Sequence, residues 1–324
     1  MRAALIDPTE RRLVLGDVDR PIAGPAQLLV AVRAAGLNRA DLAVIAGTYH
    51  AGAGTDPFVA GAELAGEVVA VGDGVSEWSP GDRVMAMGRG YAELAVIDAA
   101  LAAPVPRALG WSEAGALPVA VATMHDAVVT NGGFRAGHHV VVNAATSGVG
   151  VVGVRIALHL GAASVIGTSR SEDKRRQLAA LVDDDRFTVV APDELVETAG
   201  AVTGGHGVDV IVDNVGAMTV APNIAAAAIG GRIVQVGRLG GRHDTIDLDE
   251  LARKRIALVG VTFRTRTAAE RAAVVRAAWT ALADAIADGA VTPVVHAEHP
   301  LDDIEGALAA LRADRHIGKL VILP

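Results

Sequence analysis

From about residue 120 onward, apolar β-branched runs recur at regular intervals with helix-like segments between them, and this rhythm limits the possible folds more than any other feature. The runs cover residues 139–142, 164–167, 188–190, 208–212, 232–236 and 256–263. A strand with one wet face alternates apolar and polar residues. Strands that are apolar almost throughout and separated by helices are covered on both faces, which requires a parallel sheet. Six such strands predict an α/β domain of the doubly wound type.

The preceding hundred residues read differently. Short β-like runs at 28–32, 67–71 and 83–87 are broken by Gly and Pro, and Ser79-Pro80-Gly81-Asp82 marks a tight turn, so this part is a mostly β module. After the parallel-sheet pattern come a helical segment at 267–290, the run Thr292-Pro293-Val294-Val295, a helix at 301–311 and a last strand at 318–323. This tail is too short for a domain of its own and is expected to pack back onto the N-terminal module. The expected division is 1–120 with 265–324 as one discontinuous domain, and 121–264 as the other. A chain of 324 residues has ample core for two.

Composition removes several function classes. The formal charge is −8, which argues against a nucleic-acid binder or an anionic-membrane binder, since either needs a basic face. There is no cysteine, so disulfides, thiolate catalysis and Cys-based zinc sites are excluded. The N-terminus meets Asp7 before any signal-peptide core could form, and the long uncharged stretches 136–154 and 214–231 contain several Gly and polar residues, unlike a spanning helix. A cytoplasmic enzyme is the expectation.

The sharpest local signal is strand, turn and helix: Val140-Val141-Val142-Asn143, then Ala145-Thr146-Ser147-Gly148-Val149-Gly150, then 151–160. Dinucleotide-binding turns place glycine at three positions, for the tight turn, for approach to the pyrophosphate and for helix–strand packing. Here only Gly150 is kept, and Ala145 and Ser147 are small replacements. Amides at such a helix start, aided by the helix dipole, can hold a pyrophosphate. A Gly-rich turn with no ligand is the alternative, and the five further strands weigh against it.

The second strand should end beside the adenosine ribose, where an NAD enzyme carries Asp or Glu about 20 residues on. This chain reads Gly167-Thr168-Ser169-Arg170-Ser171-Glu172-Asp173-Lys174 instead. A guanidinium flanked by hydroxyls, with Lys174 beyond, suits a 2′-phosphate, which Arg binds bidentately. The expected cofactor is therefore NADPH rather than NADH; a solvated helix start that happens to carry Arg170 is the competing account.

With these residues in view, the chain resembles the zinc-free quinone oxidoreductase (zeta-crystallin-like) branch of the medium-chain dehydrogenase/reductase superfamily. The resemblance runs through Ala35-Gly36-Leu37-Asn38-Arg39-Ala40-Asp41-Leu42, Gly47-Thr48-Tyr49, residues 61–69, Pro80-Gly81-Asp82-Arg83-Val84, Gly90-Tyr91-Ala92-Glu93, residues 207–213, residues 230–234 and residues 316–321. It implies a GroES-like mostly β catalytic domain completed by the C-terminal tail, a Rossmann domain, and a cofactor in the cleft between them. It also implies a homodimer joined through Rossmann edge strands, here 256–263. By the same likeness Asn38, Tyr49 and Thr123 line the nicotinamide end, and Asn214, Gly237, Arg238, Phe263, Arg264 and Lys319 lie along the cofactor or the cleft.

Zinc alcohol dehydrogenases of this superfamily hold catalytic zinc through a Cys, a Gly-His-Glu motif and a further Cys or Asp. This chain reads Gly61-Ala62-Glu63 and lacks Cys altogether, while its histidines, His50, His125 and His243 among them, are scattered. Without a Lewis acid, the chemistry left is hydride transfer to an acceptor that is already electrophilic, such as a quinone or an enone. Tyr49 is the candidate polar contact, as proton donor or as aromatic wall, and Asn38 accompanies it. Asp41, Glu63 and Tyr91 read as hydrogen-bonding residues. An enoyl reductase acting on a thioester or alkenal is the main alternative, and a nucleotide-binding protein with little turnover is a third.

Overall fold

The computed structural model describes residues 1–49 and 56–324; His50 lies outside the described residues. The chain forms two compact units, one made of Met1–Val119, Thr267–Ala287 and Thr292–Pro324, the other of Ala120–Arg266 and Asp288–Val291.

The N-terminal part of the first unit holds β1 (Arg2–Asp7), β2 (Arg12–Asp17), β3 (Gln27–Gly36), α1 (Arg39–Ile45), β4 (Phe58–Val59), β5 (Glu63–Val71), β6 (Arg83–Met87), β7 (Leu94–Asp98), β8 (Ala102–Pro104) and α2 (Trp111–Gly115). Strand β3 is the spine: β5 and β7 both pair with it, antiparallel, and β6 continues from β5. Leu28, Val30, Leu64, Val84 and Ile97 are at most 2% exposed and form its core with Tyr91. A buried leucine of this kind contributes about 1.5–3 kcal/mol by leaving water.

The second unit begins in α3 (Pro118–His125), which runs into a π-helix at Asp126–Asn131. There follow β9 (His139–Val142), α4 (Gly148–His159), β10 (Ser164–Thr168), α5 (Glu172–Val182), β11 (Phe187–Val190), α6 (Leu195–Val202), β12 (Val208–Asp213), α7 (Val220–Ala226), β13 (Ala227–Gln235), α8 (Leu248–Arg253) and β14 (Ala257–Gly260). The strands make one parallel sheet in the order β11-β10-β9-β12-β13-β14. Val141, Ile166, Ile211 and Ile233 are at most 1% exposed, which is why these strands read as almost wholly apolar. Strand order reverses between β9 and β12, and doubly wound folds bind ligands beyond the carboxyl ends of the strands at such a switch. The edge strand β14 is shorter than the apolar run 256–263, because that run leaves the sheet after Gly260.

The chain then returns to the first unit with α9 (Ala268–Ala287), β15 (Val295–Pro300), α10 (Ile304–Ala313) and β16 (Lys319–Leu323). Strand β16 lies between β15 and β3, so the last residues sit inside the N-terminal sheet.

Candidate functional site

In the second unit the turn after β9 is shaped by small side chains. Ser147 is the N-cap of α4: its Oγ accepts from the Gly150 amide at 3.1 Å and donates to the Ala144 carbonyl at 2.8 Å. A Cβ on Gly150 would come within 2.3 Å of the Ala144 oxygen and 2.8 Å of the Ala145 backbone, so only glycine fits there. Ala145 faces Gly167 of β10, where an added Cβ would come within 2.7 Å of the Ala145 Cβ. The first glycine position tolerates alanine here because a glycine stands opposite. Thr146 and Ser169 join their hydroxyls at 3.1 Å and tie this turn to the end of β10. Gly148 and Val149 form the first turn of α4, half-buried, at the end where helix amides and dipole favour an anion.

Arg170 follows β10 and is exposed, while Lys174 sits in the first turn of α5, which Ser171 caps. Arg175, which the sequence reading passed over, donates to the Ser169 carbonyl at 2.8 Å and fixes the strand tip. The basic run Lys174-Arg175-Arg176 at a helix start was the signal that could have found it.

Beyond β12, Asn214 donates from Nδ2 to the Asn143 carbonyl at 2.9 Å, and its Oδ1 is buried without a hydrogen-bond partner. Gly237 closes against the Asn214 backbone, where a Cβ would come within 2.0 Å of its oxygen. Arg238 follows, exposed; Phe263 is half-buried and Arg264 exposed. Arg266 pairs with the buried Asp126 of the π-helix at 2.6 Å and covers the Phe263 ring, which anchors this segment. Thr123 lies half-buried on α3.

A cavity of about 270 Å³ opens at the carboxyl ends of β9, β11 and β12. Its walls are largely apolar, with Pro192, Leu195, Val196 and Pro222 among them, and Asn143 and Asn223 also border it. Asp213 beside it accepts from the Val215 and Gly216 amides and from Thr219. Burial pushes the Asp213 carboxyl above its usual range, and these donors pull it back. None of the cavity residues except Asn143 lies within the motif the sequence displays, because the cavity is assembled from three separate loops.

The first unit carries a separate polar cluster. Lys319, 3% exposed, donates to Glu63, to Asn38 Oδ1 at 2.6 Å and to the Leu37 carbonyl at 3.2 Å, which engages all three ammonium hydrogens. Asn38 donates in turn to Glu63 Oε1 at 2.9 Å and to the Gly36 carbonyl. The other oxygen of Glu63 accepts from the Val119 amide at 2.8 Å. Tyr91 donates to Asp41 Oδ2 at 2.5 Å, and the Asn38 amide donates to the same oxygen. Burial raises the Asp41 carboxyl to about 6, and burial together with Asp41 pushes the Tyr91 phenol well above its usual range. Tyr49 is half-buried in the turn after α1, where its amide donates to the Ala43 carbonyl. Ala62 occupies the middle of Gly61-Ala62-Glu63, and no three His, Cys, Asp or Glu side chains converge among the described residues.

Residues 24–130 match the alcohol dehydrogenase GroES-like domain and residues 148–280 the zinc-binding dehydrogenase family. A solved NAD-dependent alcohol dehydrogenase is 30% identical, with a TM-score of 0.86 and both chains covered in full. A native mycobacterial quinone oxidoreductase is 29% identical, TM-score 0.83, again over 100% of both chains. A mycobacterial protein complexed with NADPH is 29% identical, TM-score 0.86, with the same coverage. The chain is a medium-chain dehydrogenase/reductase of the quinone oxidoreductase branch. As the expected fold class requires, this superfamily joins a GroES-like domain to a Rossmann domain, and the chain is an oxidoreductase. The curated relatives are larger proteins: polyketide synthase GfsB of Streptomyces halstedii is 33% identical over 91% of this chain, which spans 5% of GfsB. The mycocerosic acid synthase-like polyketide synthase of Mycobacterium tuberculosis is 31% identical over 94% of this chain, which spans 14% of that relative. No helix among the described residues is long and apolar enough to cross a membrane.

Proposed function

We propose that the chain is an NADPH-dependent reductase that delivers hydride to a conjugated carbonyl, a quinone or an enone, without a metal. The observation that carries this reading is the turn at Ala145–Gly150, whose backbone closes so tightly that a single Cβ at Gly150 would break it. Tight turns of this kind let a pyrophosphate approach the amides of the following helix. The unpartnered Asn214 Oδ1 fits a ligand with a donor at the switch point, and a relative with this fold binds NADPH. Ser169 and Arg170 follow β10 and Lys174 stands in the first turn of α5, and we assign all three to a 2′-phosphate.

The nicotinamide supplies the hydride when bound. The chain's part is to hold, orient and exclude water. Ser147 fixes the helix start by capping the Gly150 amide, and the apolar cavity by Pro192 and Leu195 suits a flat purine base. Asn38 is held in one orientation by Lys319 and Glu63, and Tyr49 is the candidate group to contact nicotinamide or substrate oxygen. Thr123, Gly237, Arg238, Phe263 and Arg264 are assigned to the cofactor by family likeness. A metal route lacks donors, since there is no Cys, Ala62 replaces the His and the Glu63 carboxylate is taken up by Lys319, Asn38 and the Val119 amide. The edge strand β14 is where we place a homodimer contact.

A second reading, reduction of an enoyl thioester, is favoured by the curated relatives, several of which are polyketide synthases. Steady-state NADPH oxidation with 1,4-benzoquinone, 9,10-phenanthrenequinone, crotonyl-CoA and an alkenal separates the two. Turnover with the quinones supports the first reading, and turnover confined to crotonyl-CoA replaces it with the second. Tight NADPH binding with no turnover on any of them leaves only a binding protein.

A further inference from the structure

Strand β14 ends at Gly260, and among the described residues the last bond tying the chain to the sheet runs from the Val261 amide to the Gln235 carbonyl. The segment that follows, 261–266, carries Phe263 and Arg264, both assigned above to the cofactor. Backbone without ladder bonds opens easily unless side chains fix it. Arg266 does the fixing. Its Nε donates to the Thr262 carbonyl at 3.2 Å, its amide donates to the Phe263 carbonyl at 3.4 Å, and its guanidinium lies 5.2 Å from the centre of the Phe263 ring. Arg264 is tied to the same threonine: its amide and Nε donate to Thr262 Oγ1 at 3.2 and 3.4 Å. The placement of both Phe263 and Arg264 therefore follows from where the Arg266 guanidinium sits.

What fixes that guanidinium lies 140 positions earlier in the chain. Arg266 Nη2 donates to Asp126 Oδ2 at 2.6 Å, and both residues belong to the same compact unit. The Asp126 side chain is 3% exposed and that of Arg266 19%, so water and salt screen the pair little. The other carboxylate oxygen, Oδ1, is buried without a hydrogen-bond partner. Among the described residues the carboxylate is thus committed to Arg266 alone. Asp126 opens the π-helix, a local widening of the kind that recurs at functional sites. Its charge also cancels that of Arg266, which leaves Arg264 as the net positive group of 261–266.

We infer that Asp126 is a positioning residue for the cofactor: acting through Arg266, it holds segment 261–266 in the shape that offers Phe263 and Arg264 to the dinucleotide. The role rests on the NADPH reading above, and Asp126, 2% exposed, serves it without touching the ligand. Loss of the carboxylate leaves a guanidinium charged and largely dry with no counter-ion. Arg266 then turns out to water and releases both Thr262 and the Phe263 ring.

The test compares the wild type with Asp126→Asn in two measurements on the full chain. One is calorimetric titration with NADPH; the other is limited digestion with trypsin, its cuts after Arg264 and Arg266 located by mass spectrometry. Asparagine fills the same space and removes only the charge. Cleavage within the segment is expected to rise by about tenfold or more, the scale of one lost charge-assisted bond, and NADPH affinity to fall by about as much. Saturating NADPH should slow the cleavage. Asp126→Asn combined with Arg266→Gln, an amide pair with no stranded charge, should recover most of the affinity and the protection of Arg264. Arg266→Lys, which keeps the charge and loses the fork, tests the same pair should Asp126→Asn not fold, with a smaller loss expected in both measurements. Wild-type cleavage in Asp126→Asn overturns the role whatever the affinity, and faster cleavage with unchanged affinity overturns it as well; both leave the NADPH reading standing. A wild type that binds no NADPH overturns the two together.

Discussion

Lys319 and Glu63, separated by most of the chain, form an ion pair in which the lysine is 3% exposed and the glutamate 0%. Two charges leave water here, and the cost is met by their attraction only because Asn38, the Leu37 carbonyl and the Val119 amide complete their hydrogen bonding. Removing one partner strands the other. Lys319→Met is expected to lower unfolding free energy by about 3–5 kcal/mol in urea titrations. The double change Lys319→Met with Glu63→Leu should lose less than Lys319→Met alone; a double mutant worse than the single would show that the pair is net stabilising beyond its mutual compensation.

Asp41 should give the fold a pH dependence of its own. Its carboxyl is raised by burial from 3.8 to about 6, so the folded state prefers the protonated form. The stability this group contributes is complete below about pH 4 and is lost as pH rises through about 6. Across that window it amounts to roughly 3 kcal/mol at most. Urea midpoints measured from pH 4 to 7 should fall for the wild type more steeply than for Asp41→Asn, in which the neutral amide oxygen still accepts from Tyr91. Parallel slopes would refute the assignment.

Gly150→Ala should damage the phosphate-binding turn directly, because the new Cβ meets backbone at 2.3 and 2.8 Å rather than a yielding side chain. The turn must open, at about 1–3 kcal/mol by analogy with overpacked sites. NADPH affinity, followed by quenching of protein fluorescence or by calorimetry, is expected to fall by about tenfold or more. Retention of full affinity would mean that the pyrophosphate does not use this turn.

Arg170→Ala addresses cofactor choice. Its guanidinium is exposed just beyond β10, and loss of a charge-assisted pair to a 2′-phosphate should raise the NADPH Michaelis constant by about tenfold while moving that for NADH much less. Equal effects on the two cofactors would assign Arg170 to the solvated start of α5.

The six-strand rhythm was legible because burial on both faces leaves a composition that no surface strand shares: Val140, Val141 and Val142 are all 0% exposed. Gly150 and Ser147 were legible because a turn that tight restricts residue type locally. The Asn143–Asn223 pair was not, since its members are 80 positions apart and meet only after β9 and α7 are packed. The same holds for Tyr91 with Asp41, 50 positions apart. Strand β15 was missed beyond Val295 because it is an edge strand with alternating exposure, and His296, Glu298 and Pro300 turn outward. The π-helix at 126–131 has no sequence signature at all: the Gly132 amide reaches back to the Ala127 carbonyl, a choice settled by packing against β12.

The position of β16 between β15 and β3 sets a timetable for synthesis. The parallel-sheet unit is almost one continuous stretch, Ala120–Arg266, and its core can close while the ribosome is still making the rest. The other unit cannot finish its sheet until Lys319–Leu323 have emerged, some 280 residues after the β3 strand they join. During that interval the Ala35–Gly36 end of β3, which β7 does not cover, lacks its partner, the kind of exposed edge that invites association with other nascent chains. A chain cut short before Lys319 should therefore keep a sound Rossmann unit, and its other unit is the part that aggregates.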